Sequence, residues 1–464
     1  MSNVIGGATL VWLRNDLRLA DNPALSAAVA SGGPVVVVHI EPTDGALRPR
    51  GAASRWWLHH SLRSLARGLA ALGIGFETLE GPTETLLRDA IARHGARRVM
   101  WNRRYGPAER ALDAQLKSAF RRDGLVVESH AGDTLVEPFE VTTGAGGPYG
   151  VYTPFWKNLR QRPIARPLPA PAAIGPTLPV GPVDVDYAPP HWSHKLAEHW
   201  QIGEDAAAQR LTAFLEETVA DYPAQRDIPA IAATSRLSPH LAFGEISPRQ
   251  VWHAAQMMAQ RVPDKATAIE KFLSELAWRD FNIHQLYHRP DIATEPMQLK
   301  YSAMPWRAPG DELERWQRGL TGIPVVDAGM RELWATGYMH NRVRMIVGSL
   351  LTKNLLIDWR LGEQWFWDTL LDADPANNPG NWQWVAGCGL DAAPFFRIFN
   401  PVTQGERFDP EGHYVRHWVP EVADLPDAWL HHPWDAPRPP RNYPAPIVDL
   451  KASRERALAA SHSL

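Results

Sequence analysis

The hydrophobic positions of the first 130 residues follow two alternating patterns. Short apolar runs bounded by polar or turn residues are typical of buried strands. They lie at Ala8–Leu13, Val35–Ile40, Gly75–Leu79, Arg98–Trp101 and Leu125–Glu128. The segments between them are helical in period; from Ser54 onward, leucines recur at spacings of four and three residues. Strands that alternate with helices predict a doubly wound parallel sheet, so residues 1–130 are expected to form a Rossmann-like α/β domain.

Residues 131–205 break both patterns. Glycine and proline are frequent here, above all in the proline-rich run from Arg162 to Pro190. Proline removes a backbone donor and disfavours helix interiors and central strands, so we expect a long surface linker. From residue 206 to residue 464 the apolar spacing is mostly helical, which predicts an all-α C-terminal domain.

Composition narrows the class of protein in a few respects. The formal net charge is -3, so any nucleic-acid surface must be a local basic patch. The single cysteine, Cys388, excludes an intramolecular disulfide and a four-cysteine metal site, and no metal is expected. The absence of a signal peptide and of a transmembrane-length apolar run predicts a cytoplasmic protein with no membrane partner. The 20 tryptophans are unusually many and either fill the core or carry electrons.

A polar segment precedes one of the predicted helices of the C-terminal domain. Thr234, Ser235 and Ser238 provide hydroxyls, and Pro239 marks Ser238 as the start of the helix. Hydroxyls beside the free N–H groups of a helix start suit a phosphate or pyrophosphate. Polar residues before a helix also serve purely structural roles, so the segment alone leaves both interpretations open.

Two further helices carry polar and apolar side chains at helical spacing. Glu275, Trp278 and Arg279 stand at i, i+3 and i+4 and share a face, which could grip a flat heterocycle. A surface Glu–Arg pair beside a core tryptophan has the same spacing. Asn341 and Met345 stand at i and i+4, where an amide and a thioether could contact a polar ring or belong to routine helix packing.

The densest group of polar residues lies between Asp372 and Trp384. Aspartates, asparagines and tryptophans occur there together with two prolines and a glycine. This composition predicts an irregular loop with a functional role. Asp372 and Asp374 could also supply oxygen ligands to a metal ion, but no acid follows at the spacing of a calcium loop.

Several motifs of the chain resemble the photolyase/cryptochrome family, in order and over nearly the whole length. They read LVWLRNDLRLADNPAL, TSRLSPHL, ELAWRDF, TGIPVVDAGMRELWATGYMHNRVRM, LLIDWR, DADPANNPGNWQW and FRIFNPVTQGERFDPEG. They are most similar to bacterial class I photolyases for cyclobutane pyrimidine dimers. The resemblance implies an α/β antenna domain (1–130), a linker (131–205) and a helical domain (206–464) that binds FAD and DNA.

The resemblance also implies which residues hold FAD, whose reduced form is the active one. Asn378 matches the family residue that faces flavin N5. The full set implied to bind the cofactor is Tyr222, Thr234, Ser235, Arg236, Leu237, Ser238, Phe272, Glu275, Arg279, Asn341, Arg344, Asp372, Ala373, Asp374 and Asn378.

Further roles follow from the same resemblance. The residues implied in catalysis are Glu275, Asn341, Asn378 and Met345. Those implied to contact the lesion or the DNA phosphates are Arg226, Glu275, Trp278, Asn341, Arg342, Met345, Trp384 and Arg397. The chain implied to carry electrons between flavin and surface is Trp382, Trp359 and Trp306, which would explain part of the tryptophan excess.

The implied activity is that of a carbon–carbon lyase that repairs DNA with light. A dimer buried in a duplex must be flipped out to be reached. Photoexcited reduced FAD would donate one electron to the dimer, both bonds between the bases would open, and the electron would return. The expected partner is DNA that contains cyclobutane pyrimidine dimers, and a monomer is expected.

A second, light-harvesting chromophore is expected in the N-terminal domain. Glu109 matches the folate-binding glutamate of the family, which favours methenyltetrahydrofolate, although Ala108 stands where folate binders have asparagine. A deazaflavin is the alternative. Tyr338 and Phe272 stand where relatives often have tryptophan, and both keep an aromatic ring.

Three alternative functions remain open at this point. A cryptochrome-type photoreceptor commonly changes the residue at Asn378 and adds a C-terminal tail. A (6-4) photolyase relies on histidines near the lesion, whereas this chain has Met345 in the corresponding helix. A generic FAD oxidoreductase or hydrolase is disfavoured, because the sequence has no GxSxG, HExxH or Walker A motif.

Overall fold

The computed structural model describes residues 7–174, 189–395 and 397–464. In the described part of the N-terminal region, one parallel sheet has the strand order β3-β2-β1-β4-β5. The strands are β1 (Ala8–Leu13), β2 (Val35–Pro42), β3 (Gly75–Gly81), β4 (Ala96–Asn102) and β5 (Val126–His130). In the central register, Val11 pairs with Val37 on one side and Met100 on the other. The predicted strands and the doubly wound arrangement are confirmed.

The helices of the α/β domain follow the sequence pattern closely. They are α1 (Pro23–Ala30), α2 (Ala52–Ala71), α3 (Thr83–His94) and α4 (Pro107–Arg122). At the start of α1, the Asn22 side chain accepts a hydrogen bond of 3.2 Å from the Leu25 N–H, as expected of an Asn-Pro start. On α2, the stripe of leucines from Leu58 to Leu69 is buried against the sheet side of the domain.

The predicted linker is more ordered than its proline content indicated. A helix, α5 (Tyr152–Leu159), lies within it, and a 3-10 helix covers His191–Glu198. Pro154 falls in the first turn of α5, where its missing N–H costs no helical hydrogen bond. Phe155 and Leu159 bury the apolar face of α5. Residues 175–188 of the proline-rich run lie outside the described part of the chain.

The C-terminal region is helical, as predicted. Its α-helices are α6 (Glu204–Ala213), α7 (Tyr222–Gln225), α8 (Ser238–Ala242), α9 (Pro248–Arg261), α10 (Ala266–His288), α11 (Asp311–Gln317), α12 (Pro324–Thr336), α13 (Asn341–Ser349), α14 (Trp359–Thr369), α15 (Asn377–Ala386), α16 (Pro401–Phe408), α17 (His413–Trp418), α18 (Asp427–Leu430) and α19 (Leu450–His462). Short 3-10 helices cover Pro263–Lys265, Leu299–Ala303, Pro420–Val422 and Pro433–Asp435, and π-helical turns cover Phe214–Thr218 and Leu350–Asn354.

The prediction of an irregular loop through to Trp384 is wrong, because α15 begins at Asn377. One oxygen of Asp374 accepts hydrogen bonds from the N–H groups of Ala376 (2.8 Å) and Asn377 (2.6 Å). Pro379 lies in the first turn, where a helix tolerates proline. The residues that suggested a loop therefore cap and start a helix.

Buried polar contacts join the α/β and helical regions. Arg18 is fully buried and donates to the backbone oxygens of Gly132 (2.7 Å) and Gly244 (3.0 Å). Asp21 accepts from Arg249 at 2.9 and 3.1 Å. These contacts fix α9 and the start of the linker against the segment between β1 and α1. The predicted boundaries at residues 130 and 205 stay predictions. Within the described residues, no helix combines the length and apolar character that a membrane crossing requires.

Candidate functional site

A partly buried ion pair joins three of the predicted cofactor positions. Arg344 on α13 donates two hydrogen bonds to the Asp372 carboxylate, of 3.1 and 2.8 Å. Ser238, at the start of α8, donates to the same carboxylate at 2.6 Å. Burial alone would lower the pKa of Arg344, but Asp372 outweighs burial and raises it. The guanidinium is therefore a permanent charge that fixes the segment before α15 to α13 and α8.

Arg236 contributes a second, unneutralised cation beside this pair. Its backbone has a φ of 50°, and its guanidinium lies 4.4 Å from the centre of the Trp200 ring and 5.0 Å from that of Tyr338. Its Nε is buried without a hydrogen-bond partner, and it forms no ion pair with any described residue. Thr234 and Ser235 lie partly exposed next to it. An unpaired guanidinium N–H beside hydroxyls suits a phosphate oxygen.

Asn378 is held in one orientation by a residue that sequence reasoning did not find. Its Nδ2 donates to the Glu363 side chain at 2.8 Å and to the Glu363 backbone oxygen at 3.0 Å. Glu363 is buried, and Arg48 of the α/β domain pairs with it through hydrogen bonds of 2.7 and 2.8 Å. With both donor bonds used on Glu363, the Asn378 amide oxygen is the group left to accept from a ligand.

Aromatic and apolar groups complete the predicted cofactor positions. The Phe272 ring lies 4.7 Å from that of Phe214 and 5.9 Å from that of Tyr222, and Leu237 is buried in the same cluster. These groups fit the chemistry of FAD. The hydroxyls and the unpaired arginine suit its diphosphate, the fixed amide suits the polar edge of a ring, and the aromatic cluster suits its apolar parts. Fold and residues together define a two-domain protein with a nucleotide-cofactor site in its helical domain.

A cleft between α10 and α15 brings together two of the predicted lesion-binding residues. Trp278 and Trp384 line it, together with Phe281, Asn282, Gln285, Met297, Gly380, Asn381, Gly389, Leu390 and Asp391. The other predicted lesion contacts, Glu275, Asn341 and Met345, do not belong to this lining. The mixture of indole faces and amides suits a flat, polar-edged ligand such as a base.

Glu275 lies on α10 between two cations. Its carboxylate contacts Arg226 and accepts from Lys271 at 2.7 Å. Burial alone would raise the pKa of Glu275, but these two cations outweigh burial and lower it. Glu275 is therefore ionised at neutral pH and can only accept hydrogen bonds. Its i−4 neighbour Lys271 is the signal in the sequence that could have revealed this pairing.

The predicted DNA-contacting arginines differ in their surroundings. Arg226 is paired with Glu275, and Arg342 donates to Asp227 at 2.6 Å while it lies over the Phe408 ring. Arg397 is exposed, and its backbone oxygen accepts from the buried Lys353 at 2.9 Å. Asn341 is exposed on α13, and Met345 is partly exposed on the same helix.

Arg279 lies in a second cleft, away from Trp278. Its guanidinium donates to the backbone and side-chain oxygens of Asp133, both at 2.6 Å. This cleft, between the α/β and helical regions, is also lined by Arg104, Glu109 and Asp374. Arg279 thus lies in different surroundings from Glu275 and Trp278 on the same helix, so the three residues do not grip one ligand together.

Glu109, the residue expected to bind folate, is engaged within the protein. One carboxylate oxygen accepts from the Gly106 N–H at 3.2 Å and so caps α4. The other accepts from Arg104 Nε at 3.2 Å. A folate that used Glu109 would have to share or displace these contacts.

The predicted electron-transfer tryptophans differ in burial. Trp382 and Trp359 are buried, and Trp306 is partly exposed. The Trp382 ring lies in a slot between α13 and α14, where Gly348 and Gly362 leave room for it. Phe366 meets the Trp382 ring edge-on, with centres 5.0 Å apart.

Comparisons with known proteins agree with this picture. Residues 9–172 match the family model of DNA photolyase, and residues 272–463 match that of the FAD binding domain of DNA photolyase. A deoxyribodipyrimidine photo-lyase of Agrobacterium fabrum is 46% identical, with 97% of each chain covered. Cryptochrome-1 of Arabidopsis thaliana is 36% identical over 97% of this chain and 70% of its own length. The chain therefore belongs to the photolyase/cryptochrome family.

The solved structures confirm the fold. A crystal structure described as a bacterial class III photolyase from Agrobacterium tumefaciens has a TM-score of 0.94 and 45% identity, and the match covers 100% of this chain and 98% of that one. The motifs predicted class I, whereas this similar structure is described as class III, so the class stays a prediction. Curated relatives that are named as photo-lyases support the prediction that the chain is an enzyme.

Proposed function

We propose that the chain binds DNA containing cyclobutane pyrimidine dimers and splits the dimers under light with bound FAD. The observation that carries the proposal is the cleft between α10 and α15, in which the indoles of Trp278 and Trp384 meet amide side chains. A flipped-out dimer has apolar faces for the indoles and polar edges for the amides. The 46% identity to a photo-lyase over 97% of the chain supports the same conclusion.

The cofactor positions are part of the proposal. The diphosphate of FAD would bind Arg236 and the hydroxyls of Thr234 and Ser235, while Arg344, paired with Asp372, and Asn378 would face the flavin. Reduced FAD held by these residues would supply reversible, light-driven one-electron chemistry for opening the two bonds between the bases. The reaction is therefore redox-neutral, and no proton or leaving group is lost.

Glu275 would position the lesion as an acceptor. Its ionised carboxylate can accept from the N3–H groups of the two pyrimidines, but it cannot donate a hydrogen bond to the carbonyl oxygens on which negative charge develops. The neighbouring cations Arg226 and Lys271 keep it ionised and reduce its repulsion of that charge. In this proposal Glu275 orients the lesion, and Arg226 and Lys271 compensate the negative charge of its carboxylate.

The test compares Glu275→Gln with Glu270→Gln in the FAD-loaded protein. Both residues lie on α10, but Glu270 is exposed and pairs with Arg160 on the surface. Oligonucleotides with one cyclobutane dimer or one (6-4) photoproduct are illuminated with blue light, and restored bases are counted by chromatography. We expect repair of the cyclobutane dimer, a loss of roughly tenfold or more in yield for Glu275→Gln, and no change for Glu270→Gln.

Three outcomes would contradict this assignment. Repair of the (6-4) lesion alone would replace the proposed substrate. No light-dependent repair by a protein that retains FAD would favour a photoreceptor of the cryptochrome kind. Equal repair yields for Glu275→Gln and Glu270→Gln would show that Glu275 does not contact the lesion, although the chain still repairs it.

A further inference from the structure

Tyr152, the first residue of α5, lies flat on the indole of Trp278. The ring centres are 3.7 Å apart and the planes differ by 10°. Most aromatic pairs in proteins have larger separations, roughly 4.5–7 Å, and are offset or tilted. This is therefore a close, nearly parallel stack between the predicted linker and the helix that carries the lesion-site tryptophan.

Both ends of Tyr152 are fixed. Its backbone N–H donates to the Asp391 carboxylate at 2.7 Å, and its hydroxyl donates to the backbone oxygen of Ser274, one turn before Trp278 on α10. Asp391 lines the α10–α15 cleft. The stack is thus attached both to α10 and to the segment after α15 that lines the cleft.

The remaining surface of Trp278 is restricted by Phe281. The Phe281 ring meets Tyr152 and Trp278 edge-on, at 5.8 and 5.6 Å between ring centres. One face of the indole is therefore covered by Tyr152, and an edge of the pair is held by Phe281. The indole is nevertheless partly exposed, and it lines the cleft together with Trp384. A stack that served the core alone would not leave the indole on a cleft wall.

We infer that Tyr152 is a positioning residue of the lesion site, which holds the Trp278 indole with its free side toward the cleft. The inference rests on the proposed function, because it assumes that Trp278 receives the lesion. Without the tyrosine ring, the indole could tilt toward the vacated space and lose its alignment with a flipped-out base. Binding of undamaged DNA, which depends on backbone charges, would not depend on this alignment.

The experiment uses the FAD-loaded full chain with three variants. Tyr152→Leu removes the ring, and Tyr152→Phe keeps the stack but removes the hydrogen bond to Ser274. Tyr149→Leu is the control, because the Tyr149 ring contacts Phe155 and His284 and has no stack with Trp278. Dissociation constants are measured by fluorescence anisotropy for a dimer-containing oligonucleotide and for the same sequence undamaged.

The expected effect is confined to the damaged DNA. Loss of one stacked aromatic pair is worth roughly a three- to tenfold change in the dissociation constant. Tyr152→Leu should weaken binding of the dimer by that factor and leave undamaged DNA unchanged, while Tyr152→Phe and Tyr149→Leu stay within about twofold of the unmodified protein. In a double-mutant cycle, Tyr152→Leu should add little once Trp278 has been replaced by phenylalanine.

Different results separate the inference from the function on which it rests. The role of Tyr152 is overturned if Tyr152→Leu prefers the dimer-containing oligonucleotide as strongly as the unmodified protein does. It is also overturned if the variant loses the same affinity for both oligonucleotides. No preference for the dimer in the unmodified protein overturns the proposed function instead. If Tyr152→Leu loses FAD or unfolds at a lower temperature, Tyr152→Met is used instead, because methionine fills much of the same volume without a ring. A preference for the dimer equal to that of the unmodified protein in Tyr152→Met overturns the inference.

Discussion

The slot around Trp382 makes a sharp prediction about Gly362. A Cβ added at Gly362, inside α14, would lie 2.2 Å from Cη2 and 2.6 Å from Cζ3 of Trp382, and 2.7 Å from Leu351 Cδ2. The indole is buried, and its Cζ3 atom also faces Gly348 on α13, so it has little room to retreat. To restore a contact of 3.4 Å, the ring would have to move by about 1.2 Å.

Two opposing effects decide the size of the change. Glycine-to-alanine replacement inside a helix gains about 1 kcal/mol in stability. Overpacking a close-packed core costs roughly 1–3 kcal/mol. Because the clash involves a rigid indole between two helices, we expect the upper part of that range and a net loss of about 1–2 kcal/mol for Gly362→Ala. Gly348→Ala is the matched control, since its added Cβ would meet Val385 Cγ1 at 3.0 Å and Trp382 only at 3.5 Å.

Equilibrium unfolding in guanidinium chloride, monitored on the FAD-loaded protein, measures both variants. Gly362→Ala should unfold at a lower denaturant concentration than the unmodified protein, and Gly348→Ala at nearly the same concentration. Under blue light with an external reductant, Gly362→Ala should also reduce its flavin more slowly if Trp382 conducts the electron. Equal midpoints for the two variants would refute the packing argument.

Two further predictions concern the contacts that hold the site. Arg48→Met removes the cation that pairs with buried Glu363, so thermal unfolding should occur at lower temperature, by the equivalent of about 1–3 kcal/mol. FAD should dissociate faster, because Glu363, which orients Asn378, loses the cation that fixes it. An unchanged melting temperature and FAD off-rate would contradict this. Burial lowers the pKa of His284 to about 4, and the neutral ring accepts a hydrogen bond from the Tyr149 N–H. The contribution of His284 to the free energy of unfolding should therefore be fully present above pH 6.5, the ordinary pKa of histidine, and should be lost as the pH falls from 6.5 to about 4. The urea midpoint of His284→Gln should decrease less across this pH range than that of the unmodified protein. An identical decrease in both proteins would assign the proton uptake to other groups.

The sequence pattern predicted the fold well for an identifiable reason. Parallel strands covered on both faces are apolar throughout, so runs such as Ala8–Leu13 are visible without tertiary information. The segment before Trp384 was mispredicted because aspartate, asparagine and proline start helices as well as form loops. Composition alone does not distinguish the two roles.

The residues of the candidate site could be predicted from the sequence only where they belong to a motif or recur at helical spacing. Ser238, Arg344 and Asp372 were found through the family resemblance, and the structure brings them into one cluster. Tyr152 is more than one hundred residues from Trp278, and Arg48 more than three hundred from Glu363. Neither contact follows a local period, so neither could be read from the sequence pattern.

Light-driven splitting of pyrimidine dimers can be followed directly in the ultraviolet absorbance of the DNA. The FAD-loaded, reduced protein is mixed with a thymine-dimer oligonucleotide, and the recovery of thymine absorbance is followed in blue light and in the dark. The proposed function predicts recovery in the light over many turnovers per protein molecule and none in the dark. Absence of recovery in the light, with FAD bound and reduced, would contradict it.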